Sequence, residues 1–236
     1  MSNKFFDGIM SDYTISDTVG EFPVSLGYTE TGTEIQLGIY QLGHTLISGM
    51  SRSGKSRMAK HLLKSITTFA DVAIFSPKPS DYIEFVKVTM LTSDVDKFGA
   101  LIRRVVGTME RRNEKVYKAS EKAGVSVRCD DPPIVLVVDE FATFSELCSE
   151  NSMRSLKRLI SEGAGLNIFL MLVTQVATKK ILSDGLRENM MSLIAFKSRD
   201  AYASRMAIGD RSSEFIELGQ CVVKNVDKRF FITRME

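Results

Sequence analysis

The stretch LISGMSRSGKSRMAKHLL, residues 46–63, constrains this chain more than any other. An apolar run stops at Gly49, Gly54-Lys55-Ser56 follows, and an amphipathic run then begins. The octet Gly49-Met50-Ser51-Arg52-Ser53-Gly54-Lys55-Ser56 fits G-x-x-x-x-G-K-[ST] at every fixed position. A strand that turns at once into a helix leaves the first N–H groups of that helix unpaired. Glycines let the backbone wrap phosphate oxygens there, and the helix dipole favours their negative charge. The pattern assigns residues 49–57, with Arg57 as the last, to binding ATP. Lys55 reaches the β- and γ-phosphates, and the Ser56 hydroxyl holds Mg²⁺.

The rest of the chain supplies the sheet such a loop needs. Phe22–Gly38 reads as two short strands around a Thr-Glu-Thr-Gly turn. HTLISG and DVAIFSP read as strands, the second stopped by Pro77 and Pro79. Met58, Leu62, Ile66 and Phe69 recur at helical spacing. Phe98, Leu101, Ile102, Val105, Val106 and Met109 mark a second helical face, which Ser93 and Asp96 open as a capping box and Gly124 closes. PPIVLVVDEF, LNIFLMLVTQ and SLIAF are apolar runs of the kind buried on both faces of a parallel sheet. SMRSLKRLISEGAG is a helix closed by glycines, and CVVKNVDKRFFITR a terminal hairpin turning at Asn225–Asp227. Strands alternating with helices imply an α/β fold with crossover connections. At 236 residues the length suits one such domain. Residues 1–21 read as an N-terminal arm, and 22–236 as the domain.

Two further elements belong beside the loop. IVLVVDE places Asp139 and Glu140 at the C-terminal end of a strand, the edge where ligands gather in parallel sheets. Asp139 is expected to hold the metal through water, and Glu140 to orient and activate the attacking water. Gln175 ends LVTQ, where a polar side chain can sense the γ-phosphate.

Composition narrows the setting. No apolar run is long enough to span a bilayer, and MSNKFFDGIMSDY has no signal-peptide core, so a cytoplasmic chain is expected, without membrane insertion of its own. Cys129, Cys148 and Cys221 are far apart and odd in number, and no Cys/His metal spacing occurs. Residues 151–236 hold 14 Lys and Arg against 9 Asp and Glu, whereas the first 150 hold 17 against 20. The basic C-terminal third is compatible with nucleic acid.

With these residues in place, the sequence resembles the FtsK/SpoIIIE family of ring-shaped DNA-pumping ATPases, within the wider FtsK–HerA group. PVSLGYTETGTEIQLG is similar to the short hairpin before that family's motor core, and GHTLISGMSRSGKS to its His-containing strand and phosphate loop. GTMERRNEKVYKASEKAGV resembles its Met-Glu-Arg-Arg helix, VDEFATF its Walker B region, and LRENMMSLIAFKSRDAYASRMAIG its closing Ile-Ala-Phe strand and Ser-Arg pair. The likeness spans roughly residues 22–223. Departures are Ser76 in place of the Asp before Pro-Lys, Leu193 in place of an Arg, and the missing Gly-Arg near Glu162 and Ala164.

The resemblance implies a RecA-like P-loop NTPase core, mostly parallel, flanked by helices and bracketed by an N-terminal and a C-terminal β-hairpin. It implies an ATP-driven homo-oligomeric ring, hexameric or pentameric, that translocates double-stranded DNA. It also implies that Lys55, Glu140 and Gln175 act with an arginine from a neighbouring subunit. Arg205, in ASRMAIG, still matches the family position, with Arg158 and Arg187 as spares. In TKKILSDGLREN, Lys179 and Lys180 are the candidate DNA contacts. The same module powers type VII-like protein secretion and occurs in conjugation coupling proteins, and both remain alternatives. A motor core without further domains points to a phage, plasmid or integrative element working in packaging, conjugative transfer or replication, with a portal, relaxase or membrane partner.

Overall fold

The computed structural model describes residues 21–175, 178, 186–226 and 228–235. Strands β1 (Pro23–Tyr28) and β2 (Glu34–Gly38) form a separate antiparallel hairpin. The main sheet has eight strands: β3 (Thr45–Ser48), β4 (Asp71–Phe75), β5 (Met90–Thr92), β6 (Ile134–Val138), β7 (Ile168–Thr174), β8 (Ser192–Phe196), β9 (Cys221–Asn225) and β10 (Lys228–Ile232). Their order is β10-β9-β8-β3-β7-β6-β4-β5. From β8 to β5 every pairing is parallel, and the hairpin β9–β10 closes the other edge antiparallel. The expected α/β sheet and both hairpins are present.

Seven α-helices are described: α1 (Ile39–Leu42), α2 (Lys55–Ile66), α3 (Val95–Ala123), α4 (Phe141–Leu147), α5 (Glu150–Glu162), α6 (Ala201–Ile208) and α7 (Ser212–Phe215). Successive strand side chains point to opposite faces, so each apolar strand feeds two cores. Leu46, Leu136, Leu170 and Ala195 pack with Phe98 and Ile102 of α3, Phe141 and Phe144 of α4 and Leu156 of α5. Ile47, Val137, Met171 and Ile194 pack with Met58, Leu62 and Ile66 of α2 and with Val24 and Leu26 of the hairpin. An unbroken Val/Ile/Leu run such as β6 is the sequence signature of this double burial.

Two local readings change. The cap of α3 is Asp94, whose carboxylate accepts the Lys97 N–H at 3.0 Å, one residue later than a Ser93 cap. Asp94 wins because Thr92 Oγ1 accepts its N–H and turns the chain there. The edge strand β5 went unread, since three residues carry no measurable alternation.

The Met-Glu-Arg-Arg segment of α3 proves to be structural glue. Arg112 is buried, and its guanidinium donates to the carbonyls of Leu166, Asn167 and Pro132 at 2.8, 3.1 and 2.7 Å. Asn167, in the left-handed region, donates in turn to the Cys129 and Asp131 carbonyls. Together they tie the loop before β6 to the turn before β7. Glu110 binds Arg158 at 2.5 Å and so clips α3 to α5.

Removing a charged donor from three buried carbonyls strands each of them. Arg112→Ala should lower unfolding stability by about 3 kcal/mol, read as a drop in urea midpoint. Arg112→Lys should recover only part, because one ammonium cannot reproduce the planar fork. A midpoint unchanged in Arg112→Ala would reject this role.

His44 yields a second expectation. Its Nδ1 accepts the Leu170 N–H at 3.0 Å, and its buried Nε2 faces the Ile160 carbonyl without an aligned bond. Burial pulls the imidazole down from 6.5 to about 4. Between those values the unfolded chain binds a proton that the folded chain refuses. The contribution is therefore complete above pH 6.5 and is lost as pH falls toward 4, at about 1.4 kcal/mol per pH unit. Urea unfolding at pH 7.5 and 5 should show a smaller acid loss for His44→Asn than for the parent chain.

Candidate functional site

The strand order decides what meets at the C-terminal edge. β3 lies between β8 and β7, and β7 lies between β3 and β6. In register, Ser48 pairs with Thr174, Leu172 with Val138, and Val138 with Phe75. The loop after β3, Gln175 after β7, Asp139 and Glu140 after β6 and Ser76 after β4 therefore emerge side by side.

The loop is cramped by its neighbour. A Cβ on Gly49 would sit 2.6 Å from Phe196 Cβ, and one on Gly54 would sit 2.7 Å from the Phe196 ring. Both glycines have positive φ, at 148° and 118°, as does Arg52 at 61°. The Met50 N–H donates to the Lys197 carbonyl at 2.9 Å, and the Gly219 N–H to the Ser53 carbonyl at 3.0 Å. Among the described residues, the N–H groups of Gly54, Lys55 and Ser56 find no backbone acceptor. They open α2 and form the cradle that a phosphate fits. The Ser53 hydroxyl is buried without a partner beneath it. Ser51 and Arg52 are exposed, and the Arg57 guanidinium turns away to the Met235 carbonyl at 2.9 Å. Its side chain thus serves the C-terminal tail, and only its backbone belongs to the loop.

Lys55 is buried, and its Nζ donates to the Met50 carbonyl at 2.9 Å. Burial pulls its ammonium below the usual range, and the charges of Glu140 and Asp139 partly restore it. Burial raises the Asp139 carboxyl, opposed by a hydrogen bond from Ser76. That bond, from Ser76 Oγ to Asp139 Oδ2, is 3.1 Å, while Asp139 Oδ1 accepts the Glu140 N–H at 3.1 Å. Ser76 stands where the resemblance expects an acid. A hydroxyl there donates to Asp139, whereas a second carboxylate would repel it.

Glu140 sits in the left-handed region at φ 54°, ψ 61°, at the start of α4. Such strain in a non-glycine residue costs about 1–3 kcal/mol and collects at functional sites. Its carboxylate accepts a hydrogen bond from Gln175 Nε2 at 2.6 Å. Lys55, Ser56, Asp139, Glu140 and Gln175 are thus brought together.

The arginines separate from one another. Arg158 is held by Glu110 and Glu162 of its own chain. Arg187 is half-buried, with its Nε unpartnered. Arg205 is exposed on α6, and no side-chain hydrogen bond or ion pair holds it among the described residues. Lys179 and Lys180 lie outside the described residues.

One side chain at the site escaped sequence reasoning. Tyr82, from a 3-10 turn over Pro79–Phe85, is fully buried. Its hydroxyl faces the Asp139 carboxylate and the Ser56 hydroxyl, yet completes no aligned hydrogen bond. Burial and the nearby Asp139 charge push the phenol well above its usual range, so it can donate but does not ionise. No period or motif in PSDYIEF marks it.

The oxygens of Ser56 and Asp139 form the hard donor set that suits Mg²⁺, which keeps several waters and binds through one or two protein oxygens. The free N–H groups and Lys55 suit a polyphosphate. The residues present fit both groups.

No protein-family profile matches the whole chain or any part of it. DNA translocase FtsK of Sporosarcina ureae is 26% identical over 214 residues, which are 81% of this chain and 27% of that protein. DNA translocase SpoIIIE of Bacillus subtilis is 24% identical over 77% of this chain and 26% of its own. The FtsK domain-containing protein YdcQ of B. subtilis is 25% identical over 75% of this chain and 38% of its own. The chain thus spans well under half the length of these curated relatives. Among solved structures, the monomer form of the pCW3 conjugation coupling protein TcpA with ATPγS superposes with a TM-score of 0.76 at 18% identity, covering 91% of this chain and 66% of that one. The cytoplasmic domain of the Thermomonospora curvata type VII secretion ATPase EccC gives 0.73 at 18% identity, covering 93% and 29%. Joined to the strand order and the loop geometry, these likenesses show a sequence similar to the FtsK/SpoIIIE DNA translocases and a RecA-like P-loop fold.

Proposed function

We propose that this chain is the motor domain of an ATP-driven ring that translocates double-stranded DNA. The observation that carries the hydrolytic half is the convergence of Lys55, Ser56, Asp139, Glu140 and Gln175 on one sheet edge, with Glu140 and Gln175 hydrogen-bonded at 2.6 Å. The sequence likeness to FtsK and SpoIIIE carries the DNA half. Residues 22–236 make up the motor and 1–21 an arm, the setting is cytoplasmic, and the ring has six or five copies. Among the described residues no helix is long and apolar enough to cross a membrane.

ATP lies on Gly49–Ser56, with its phosphates on the N–H groups that open α2. Lys55 leaves the Met50 carbonyl for the phosphate oxygens. Ser56 and Asp139 would hold Mg²⁺, which when bound offsets phosphate charge. Glu140 orients a water and takes its proton as the water oxygen bonds to the γ-phosphorus and the bond to the bridging oxygen breaks. The ADP oxygen leaves with the electron pair. Gln175 reads the event: while it holds Glu140 the water is unclaimed, and release couples the γ-phosphate to the segment after β7. That segment contains Lys179 and Lys180, which would touch DNA phosphates without reading sequence. An arginine from the next subunit completes the site. Arg205 suits this, being exposed and held by no side-chain bond among the described residues, whereas Arg158 is tied into its own chain.

Lys55→Ala should abolish nucleotide binding and phosphate release, both with and without duplex DNA. Glu140→Gln should bind ATP as the parent does and release phosphate at least 100-fold more slowly, in line with loss of a general base. The parent should turn over faster with duplex DNA and lose that stimulation in raised salt. Stimulation by a secreted peptide and not by DNA would turn the reading toward export.

Sharing of sites has its own measurement. Arg205→Ala and Glu140→Gln should each be inactive alone and recover activity when mixed, because some interfaces then join an intact arginine to an intact Glu140. A finger of this kind is worth about 10³–10⁵ in rate. Mixtures no more active than their parts would remove Arg205 from the site.

A further inference from the structure

We propose that Tyr82 is a positioning residue of the cation site, its phenol donating to the oxygens that gather around a divalent cation between Ser56 and Asp139. The inference rests on the nucleotide site proposed above and adds a residue to it. Three observations support it. Tyr82 is wholly buried, so its hydroxyl has no water to fall back on. That hydroxyl lies within reach of two oxygens proposed to hold the metal, yet makes no well-aligned hydrogen bond to either. Asp139 is itself held in place, with Ser76 and the Glu140 N–H donating to one oxygen each and leaving each oxygen able to accept a further bond.

Burying an unpaired hydroxyl costs stability. Phenylalanine would fill the same volume beside Phe85, Met58 and the rest of that core without the cost. A hydroxyl that is buried, lacks an aligned partner and is turned toward the proposed metal oxygens is one that the shell around a bound cation can satisfy. The turn that delivers it is anchored at both ends. Ser76 Oγ accepts the Lys78 N–H at 3.1 Å just before it, and the Val88 and Thr89 N–H groups donate to the Phe85 carbonyl after it. The same serine that braces Asp139 therefore also starts the segment that carries Tyr82. Outer-shell donors of this type orient the ligating groups, and their loss costs about 10–100-fold in metal affinity.

The test uses the full chain and Tyr82→Phe, with a fluorescent ATPγS analogue as the nucleotide and Mg²⁺ alone as the metal. In EDTA, both proteins should bind the nucleotide equally. As Mg²⁺ is added, the concentration that half-saturates the metal-dependent signal should be about tenfold higher in the variant. The melting temperature of the ligand-free variant should equal or exceed that of the parent, because an unpaired buried hydroxyl has gone. A half-saturating Mg²⁺ concentration equal to the parent's overturns the proposal. If the parent itself binds no nucleotide, the site reading fails first, and the two failures are distinct. Should Tyr82→Phe not fold, fluorotyrosine in the parent replaces it. Adding Mg²⁺ to the ATPγS complex should shift the ¹⁹F resonance assigned to Tyr82, and no shift overturns the assignment.

Discussion

The contact between Phe196 and the two loop glycines sets the geometry of the site. β8 pairs in parallel with β3, and its last residue lies beneath the loop that follows β3. With no Cβ at Gly49 or Gly54, the loop settles onto the ring, and the Met50 N–H continues the pairing to the Lys197 carbonyl. Its curvature is therefore set by the sheet beneath it. The orphan N–H groups at the head of α2 are held in place by those contacts, and a preorganised cradle of this kind lowers the ordering cost of binding.

What the loop offers on one side, β6 and β7 answer on the other. Because β7 separates the loop strand from the acidic strand, Gln175 is the natural bridge between them. It reaches Glu140 because Glu140 adopts a left-handed backbone, which starts α4 immediately after Asp139. Two adjacent acids consequently point to different tasks. Asp139 stays in the buried corner with Ser76 and Tyr82, while Glu140 swings toward Gln175. An ordinary helical φ at residue 140 would send its side chain elsewhere. The strain buys that divergence.

Periodic and motif-bearing segments were legible in the sequence, for physical reasons. β6 and β7 show as unbroken apolar runs because both their faces are buried, and α3 because Phe98, Ile102, Val105 and Met109 share one stripe. The loop and the acidic pair were legible because backbone geometry and charge leave few residue choices there. Tyr82 was not, since its role depends on a turn whose path is set by Ser76 and Phe85 and not by its own neighbours in sequence. Arg112 was read as part of a family likeness, but its work of pairing three carbonyls from two loops is visible only once α3 is docked. The cap at Asp94 turned on a one-residue choice between two good capping residues.

The buried Lys55 raises the question of how a cation is tolerated away from water. Removal from water disfavours its charge, and the carbonyl of Met50 and the nearby carboxylates of Glu140 and Asp139 offset this. Asp139 faces the mirror-image difficulty, with burial against it and Ser76 in support. Each charge thus lowers the cost of burying the other, and each also keeps hydrogen bonds of its own, from Lys55 to the Met50 carbonyl and from Ser76 and the Glu140 N–H to Asp139. Phosphate oxygens would replace a single carbonyl contact at Lys55 while the loop N–H groups, which lose nothing, gain partners. A polyanion placed on this loop would meet the Lys55 ammonium and the open N–H groups together, while Glu140 stands apart on its hydrogen bond with Gln175.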